Sequence, residues 1–190
     1  MARTPSTMLE LGTQAPAFSL LEPTTGNILA LSHFSGKPIL IAFICNHCPY
    51  VIHIADAFSS FARAYQSKGL QVIAINANDV DHYPADSPEK MIAASEQYRY
   101  SFPYLFDETQ QTAKAYKAAC TPDFFMFDEQ HKLYYRGQFD SSRPGNNEPK
   151  MGSDLISAAD LLLADKPAPK RQIASLGCGI KWKTGNEPEY

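Results

Sequence analysis

Ile39-Leu40-Ile41-Ala42-Phe43-Ile44-Cys45-Asn46-His47-Cys48-Pro49-Tyr50 joins an unbroken apolar run to two cysteines spaced two residues apart, and then to a proline. The run has the length and apolar character of a central strand covered on both faces. From Tyr50 to Lys68 the apolar residues Val51, Ile54, Ala55, Phe58, Phe61, Ala62 and Tyr65 keep the three-and-four spacing of an amphipathic helix, and Gly69 is placed to end it. Leu70-Gln71-Val72-Ile73-Ala74-Ile75 reads as the next buried strand. Strand, helix and strand with short joins make a βαβ unit with a right-handed crossover. The cysteines therefore sit where a strand ends and a helix begins. Unsatisfied N–H groups and the positive end of the helix dipole favour a thiolate there.

Working outward, residues 9–31 read as an N-terminal extension with hairpin character, in which Phe18–Leu21 and Ile28–Leu31 flank a turn-rich stretch. Residues 76–88 form a polar loop leaving the carboxyl end of the second strand, where ligand-handling loops of α/β sheets gather. Helices are expected over 88–100, with Ser87 as N-cap, and over 109–119. Phe102–Phe106 between them is a short strand or extended stretch. After Cys120-Thr121-Pro122, residues 123–128 and 132–138 read as an antiparallel hairpin. Residues 140–150 have loop composition. Ser153 is expected to cap a last helix through Leu163, and the tail from Pro167 is irregular, with a short apolar stretch at 179–182 that either adds a strand or packs on the body. No repeat and no second domain is seen. Residues 1–190 are read as one domain, with a core over about 11–163 and a tail over 167–190.

A net charge of −3 provides no electrostatic footprint for nucleic acid or an anionic membrane surface. The first eight residues lack the apolar core of a signal peptide, and the longest apolar runs are too short to span a bilayer. With only four cysteines and one close pair, the chain does not read as a secreted disulfide scaffold. A cytoplasmic protein that uses cysteine for chemistry is expected.

The order of elements resembles the thioredoxin-like superfamily, and within it the peroxiredoxin-related proteins of the AhpC/TSA type. The resemblance spans roughly residues 11–163. It is carried by Gly12-x-x-Ala15-Pro16-x-Phe18-x-Leu20, by Cys45-Asn46-His47-Cys48-Pro49-Tyr50-Val51 and by Cys120-Thr121-Pro122-Asp123-Phe124, and Gly177-Cys178-Gly179-Ile180-Lys181-Trp182 looks like a subfamily feature. It implies an α/β fold with a central mixed sheet flanked by helices and an N-terminal β-hairpin extension. By resemblance Pro122 is the cis-proline that lies against the active cysteines. With Thr121 it would shape a backbone edge where a substrate peptide pairs.

The expected activity is thiol–disulfide exchange with protein or small-molecule thiols and disulfides. Cys45 is read as the attacking thiolate and Cys48 as the resolving thiol. No cofactor or metal is called for, and reducing equivalents would come from another thiol. A protonated His47 beside Cys45 would bring the thiol below the ~8.5 of free cysteine, and the potential would be more oxidising than thioredoxin's roughly −270 mV. The plainer reading of His47 is a surface ring. The buried acid that thioredoxin carries six residues before its first cysteine is replaced by Ile39, leaving His53, Asp79 and His82 as candidate proton acceptors, although each reads more simply as a surface residue.

Cys120 and Cys178 are auxiliary thiol candidates. Cys120 reads more simply as an apolar packing residue, and Cys178 as an inert thiol rather than a partner for Cys120 or Cys45. The alternative activity is thiol-dependent peroxidation at Cys45. Against it, the threonine of the peroxiredoxin Pro-x-x-x-Thr-x-x-Cys pattern is replaced by Ala42. A metal site drawing on Cys45, Cys48 and His53, completed by His47, Cys120 or Cys178, ranks lower because no second Cys/His pair stands at zinc spacing. A pure interaction module also ranks lower.

Overall fold

The structure, a computed structural model, describes residues 3–190. The domain expected over 1–190 therefore includes Met1 and Ala2, which lie outside the described residues. In chain order the strands and helices are β1 (Arg3–Pro5), β2 (Ser19–Glu22), β3 (Asn27–Ala30), β4 (Ile39–Phe43), α1 (Pro49–Gln66), β5 (Gln71–Asn76), α2 (Pro88–Gln97), β6 (Tyr104–Phe106), α3 (Gln111–Ala115), β7 (Cys120–Thr121), β8 (Asp123–Phe127), β9 (Leu133–Gly137), α4 (Ser153–Leu163) and β10 (Leu176–Gly179).

Seven strands form a mixed sheet in the order β3-β2-β6-β5-β4-β8-β9. β4 pairs parallel with β5 and antiparallel with β8, so it is central and wholly buried, as its apolar run requires. Alternation along β4 divides the core. Leu40, Ala42 and Ile44 face α1, Phe58, Phe102 and Phe124, while Ile39, Ile41 and Phe43 face Tyr116, Phe125 and Phe127 on the other side. The hairpin β2–β3 extends the main sheet through the pairing of Leu21 with Phe106.

Three expectations need correction. The helix expected over 109–119 is only Gln111–Ala115, because Gln110 and Lys117 both adopt left-handed backbone at its ends. Gly152, not Ser153, is the N-cap of α4; a Cβ there would sit 2.5 Å from the Phe139 ring. The tail is not irregular throughout. β10 lies between β1 and β7 in a second, three-stranded antiparallel sheet.

Candidate active site

The ladder of β4 carries one residue past its end, where the Ile44 N–H bonds the Ile75 carbonyl at 3.0 Å. The chain then turns through Cys45, Asn46 and His47, and Cys48 is the N-cap of α1, with Pro49 in its first turn. From across the site comes the Thr121–Pro122 turn, whose peptide bond is cis as the resemblance implied. The Thr121 hydroxyl lies 3.3 Å from Cys45 Sγ, and the Cys48 thiol donates to the Thr121 carbonyl at 3.1 Å. Thr121 thus touches both sulfurs. All four cysteines are unbonded to one another, and all are buried.

One expectation about these sulfurs does not hold in this geometry: the Cys45 thiol, 2% exposed, is raised rather than lowered. Interaction with Cys45, against the opposing effect of burial and helped by Cys178 and the Val51 N–H, lowers the Cys48 thiol to about 5. The same interaction with Cys48, then burial, then the Asp86 carboxylate hold Cys45 well above its ordinary range.

Asp86 organises the turn around His47. Its Oδ1 accepts the Asn46 and His47 N–H groups at 2.7 and 3.3 Å, and its Oδ2 meets His47 Nδ1 at 2.6 Å and the Asn78 side-chain amide at 2.8 Å. The His47 ring stacks on Tyr83, with centroids 5.7 Å apart. The expected imidazolium beside Cys45 therefore arrives with its own carboxylate, whose negative charge opposes a Cys45 thiolate. Polar loop 76–88 is a buried scaffold at its two ends, where Asn76, Asn78, Asp79 and Asp86 lie within the protein, and is exposed only over residues 81–85. Nothing in the spacing of that loop distinguishes Asp86 from its neighbours, and the sequence reading missed it.

The other proton-acceptor candidates are committed elsewhere. His53 bonds Ser142 at 2.6 Å, and Asp79 bonds His82 at 2.6 Å. Cys45, His47 and Asp86 do bring one potential metal-ligand atom each within 4.8 Å of one another, a grouping distinct from the one the sequence suggested around Cys45, Cys48 and His53. The four hydrogen bonds to Asp86 already use the acceptor capacity of a carboxylate, so a metal would have to displace one of them.

The edge assigned to a substrate peptide is occupied by the chain itself. β10 pairs with β7 so that Cys178 stands opposite Thr121 and Gly179 opposite Cys120. Gly177 has no side chain because none fits: a Cβ there would meet the Thr121 carbonyl oxygen at 2.0 Å. Beyond Gly177 the strand delivers the Cys178 thiol toward the Cys48 sulfur, whereas Cys120 donates to the Pro122 carbonyl at 3.6 Å. Burial pushes the Cys120 thiol well above its ordinary range, in keeping with a packing role. The tail is tied down at several points. Ser175 Oγ donates to the Pro122 carbonyl at 2.6 Å, and the Lys181 N–H donates to Asn78 Oδ1 at 2.8 Å, which links the tail to the Asp86 network. A cleft of about 400 Å³ beside β10 is lined by Arg3, Tyr50, Arg143 and Leu176.

The family model of the AhpC/TSA family matches residues 11–136. The chain belongs to the AhpC/TSA family. Among solved structures, an uncharacterized conserved protein from Geobacillus kaustophilus is 48% identical, with a TM-score of 0.94 over 96% of this chain and 97% of the other. The thiol-disulfide oxidoreductase ResA of Geobacillus thermodenitrificans is 25% identical over 68% of this chain and 70% of its own length. The chloroplastic peroxiredoxin Q of Populus jackii is 29% identical over 53% of this chain and 44% of its own. Thioredoxin-fold thiol redox enzymes are thus the relatives of this family member, and the expected fold stands.

Proposed function

We propose that the chain is a thiol–disulfide oxidoreductase whose working groups are Cys45 and Cys48. The observation that carries this is the convergence of both sulfurs on Thr121, beside the cis-proline, at the mouth of α1. In the direction that reduces a substrate disulfide, the Cys45 proton passes to Cys48 as the Cys45 sulfur attacks one substrate sulfur. The substrate S–S bond breaks, and its other sulfur leaves as a thiolate that takes a proton from solvent. Cys48 then attacks Cys45 Sγ and gives its proton to the departing second substrate thiol, leaving a Cys45–Cys48 disulfide. A reducing thiol of another molecule restores the pair.

Cys45 is the entry point because it precedes the helix, in the turn whose flanking residues Asn46 and His47 are half-buried, whereas Cys48 is 0% exposed. The protein must open slightly around Cys45 for attack.

The test is reduction of insulin disulfides in the presence of dithiothreitol. Cys45→Ser should bring the rate to background, and Cys48→Ser should accumulate mixed disulfides through Cys45. An undiminished rate in Cys45→Ser would sink the proposal. A peroxidase reading keeps one observation in its favour: the Thr121 hydroxyl at 3.3 Å stands beside Cys45, where Ala42 provides none. In that case peroxide would oxidise Cys45 to the sulfenic acid with release of an alcohol or water, and Cys48 would displace a water to form the same disulfide. Stopped-flow peroxide consumption separates the two.

A further inference from the structure

We infer that Cys178 is a third exchange thiol, which takes over the disulfide from Cys45 by bonding to Cys48 and so links the tail strand β10 to the mouth of α1. The inference rests on the oxidoreductase reading for the origin of the Cys45–Cys48 disulfide, but its geometry is independent of that reading.

The antiparallel register sets Cys178 opposite Thr121, the residue whose hydroxyl contacts Cys45 and whose carbonyl accepts from Cys48. Cys45, Cys48 and Cys178 lie in one buried cluster, and all three meet at Thr121, Cys178 through the strand register and the other two through their sulfurs. The position of Cys178 is not a loose one. Gly177 must pass against the Thr121 carbonyl, Arg3 pairs with Cys178 from the far strand, and the Ile180 N–H bonds the Ala119 carbonyl at 3.1 Å. A packing thiol would need only to fill space, as Cys120 does. Cys178 instead shares one buried cluster with Cys45 and Cys48.

The step is an isomerisation that needs no external oxidant. The Cys178 sulfur attacks Cys48 Sγ, the Cys45–Cys48 bond breaks, and Cys45 leaves as a thiolate that receives the Cys178 proton. One S–S bond replaces another, and the oxidation level of the protein is unchanged. Burial, followed by interaction with Cys48, holds the reduced Cys178 thiol up at about 12. The product keeps the oxidising equivalents in a bond buried under β10 and returns Cys45 to the thiol state. Reversal by Cys45 attack on Cys48 releases them.

The full-length protein is oxidised with a limiting amount of diamide, quenched in acid, alkylated and mapped as non-reduced peptides by mass spectrometry. Wild type should contain a peptide pair joined through Cys48 and Cys178 as well as the Cys45–Cys48 peptide. In Cys45→Ser the same oxidant should remove both Cys48 and Cys178 from alkylation, with the loss abolished in Cys45→Ser/Cys178→Ser. Absence of the Cys48–Cys178 pair from the wild type, or alkylation of both thiols in a folded Cys45→Ser, overturns the inference. An undiminished insulin-reduction rate in Cys45→Ser overturns the oxidoreductase reading alone, and the Cys48–Cys178 bond is then decided by the peptide map. If Cys45→Ser does not fold, the wild-type map decides.

Discussion

On one side of the sulfur cluster stand β4 and α1, held by large side chains: Phe58 on α1 packs against Phe61, Phe102, Phe124 and Phe139. On the other side stand the Thr121–Pro122 turn and β10, held by backbone pairing between two-, three- and four-residue strands that meet through glycines. The first side is stabilised by the volume it buries, the second by the volume it leaves out. Deleting atoms should therefore damage the first side most, and adding a single methyl should damage the second.

The largest effect is expected from Phe58→Ala. Phe58 is 2% exposed and touches four other rings, so removing it forfeits transfer free energy and leaves a cavity, lowering stability by about 4–5 kcal/mol. Urea unfolding followed by circular dichroism reads this directly. If the loss is below about 1 kcal/mol, the helix side is not held by its aromatic cluster.

Next comes a titration on the turn side. Asp123 is 0% exposed, follows Pro122 directly and leaves Oδ1 without a hydrogen-bond partner. Burial pushes its carboxyl up to about 7. A raised carboxylate favours the neutral form in the folded state, so its contribution is fully present below the ordinary value near 4 and is lost as pH rises through about 7. The difference comes to roughly 4 kcal/mol at alkaline pH. Asp123→Asn imitates the neutral acid and should flatten this part of the stability profile. Urea midpoints of both proteins between pH 4 and 8 check it; parallel profiles would show that Asp123 is charged throughout.

Gly177→Ala is the methyl-addition experiment. Its Cβ would lie 2.0 Å from the Thr121 oxygen and 2.6 Å from the Thr121 carbonyl carbon, both backbone atoms, so β10 must lift. Overpacking of this kind costs about 3 kcal/mol. The loss should be local, with faster amide exchange in β10 and β1 while β4 and β5 stay protected. Equal acceleration in β4 would show that the two sides are one cooperative unit.

These differences also explain what the chain disclosed before its structure. Strands β4 and β5 and helix α1 are visible because each must bury long stretches of side chain, which imprints an apolar run or a 3.6 period on the sequence. The Cys45–Cys48 pair is visible for the same reason, since it interrupts that pattern at the strand–helix join. β10 is Leu176-Gly177-Cys178-Gly179, a strand made of close approach rather than apolar alternation, and small residues leave no periodic trace. Which sulfur Cys178 meets depends on the pairing of a four-residue strand with a two-residue one, and register in such short pieces is set by tertiary contacts. Asp86 is hidden in the same way. Its role comes from four donors drawn together by the loop, and no spacing rule announces it.

Asp86→Asn is the smallest of these changes and bears on how the two sides communicate. Asn78 donates to Asp86 from one end and accepts the Lys181 N–H of the tail at its other end, so Asp86 is joined to both His47 and β10. An asparagine can keep its oxygen on the Asn46 and His47 amides only by turning its NH₂ toward Asn78, which also presents an NH₂. That conflict costs about 2 kcal/mol. Removing the charge also withdraws the carboxylate that raises the Cys45 thiol, so its ionisation should shift downward. The measurement is alkylation of Cys45 against pH in Cys48→Ser and in Cys48→Ser/Asp86→Asn, which takes the cysteine coupling out of both arms. A lower midpoint in the second protein assigns Asp86 an electrostatic hold on Cys45. An unchanged midpoint accompanied by faster exchange of the β10 amides would instead make Asp86 a positioning residue, acting on the site only through Asn78 and the tail.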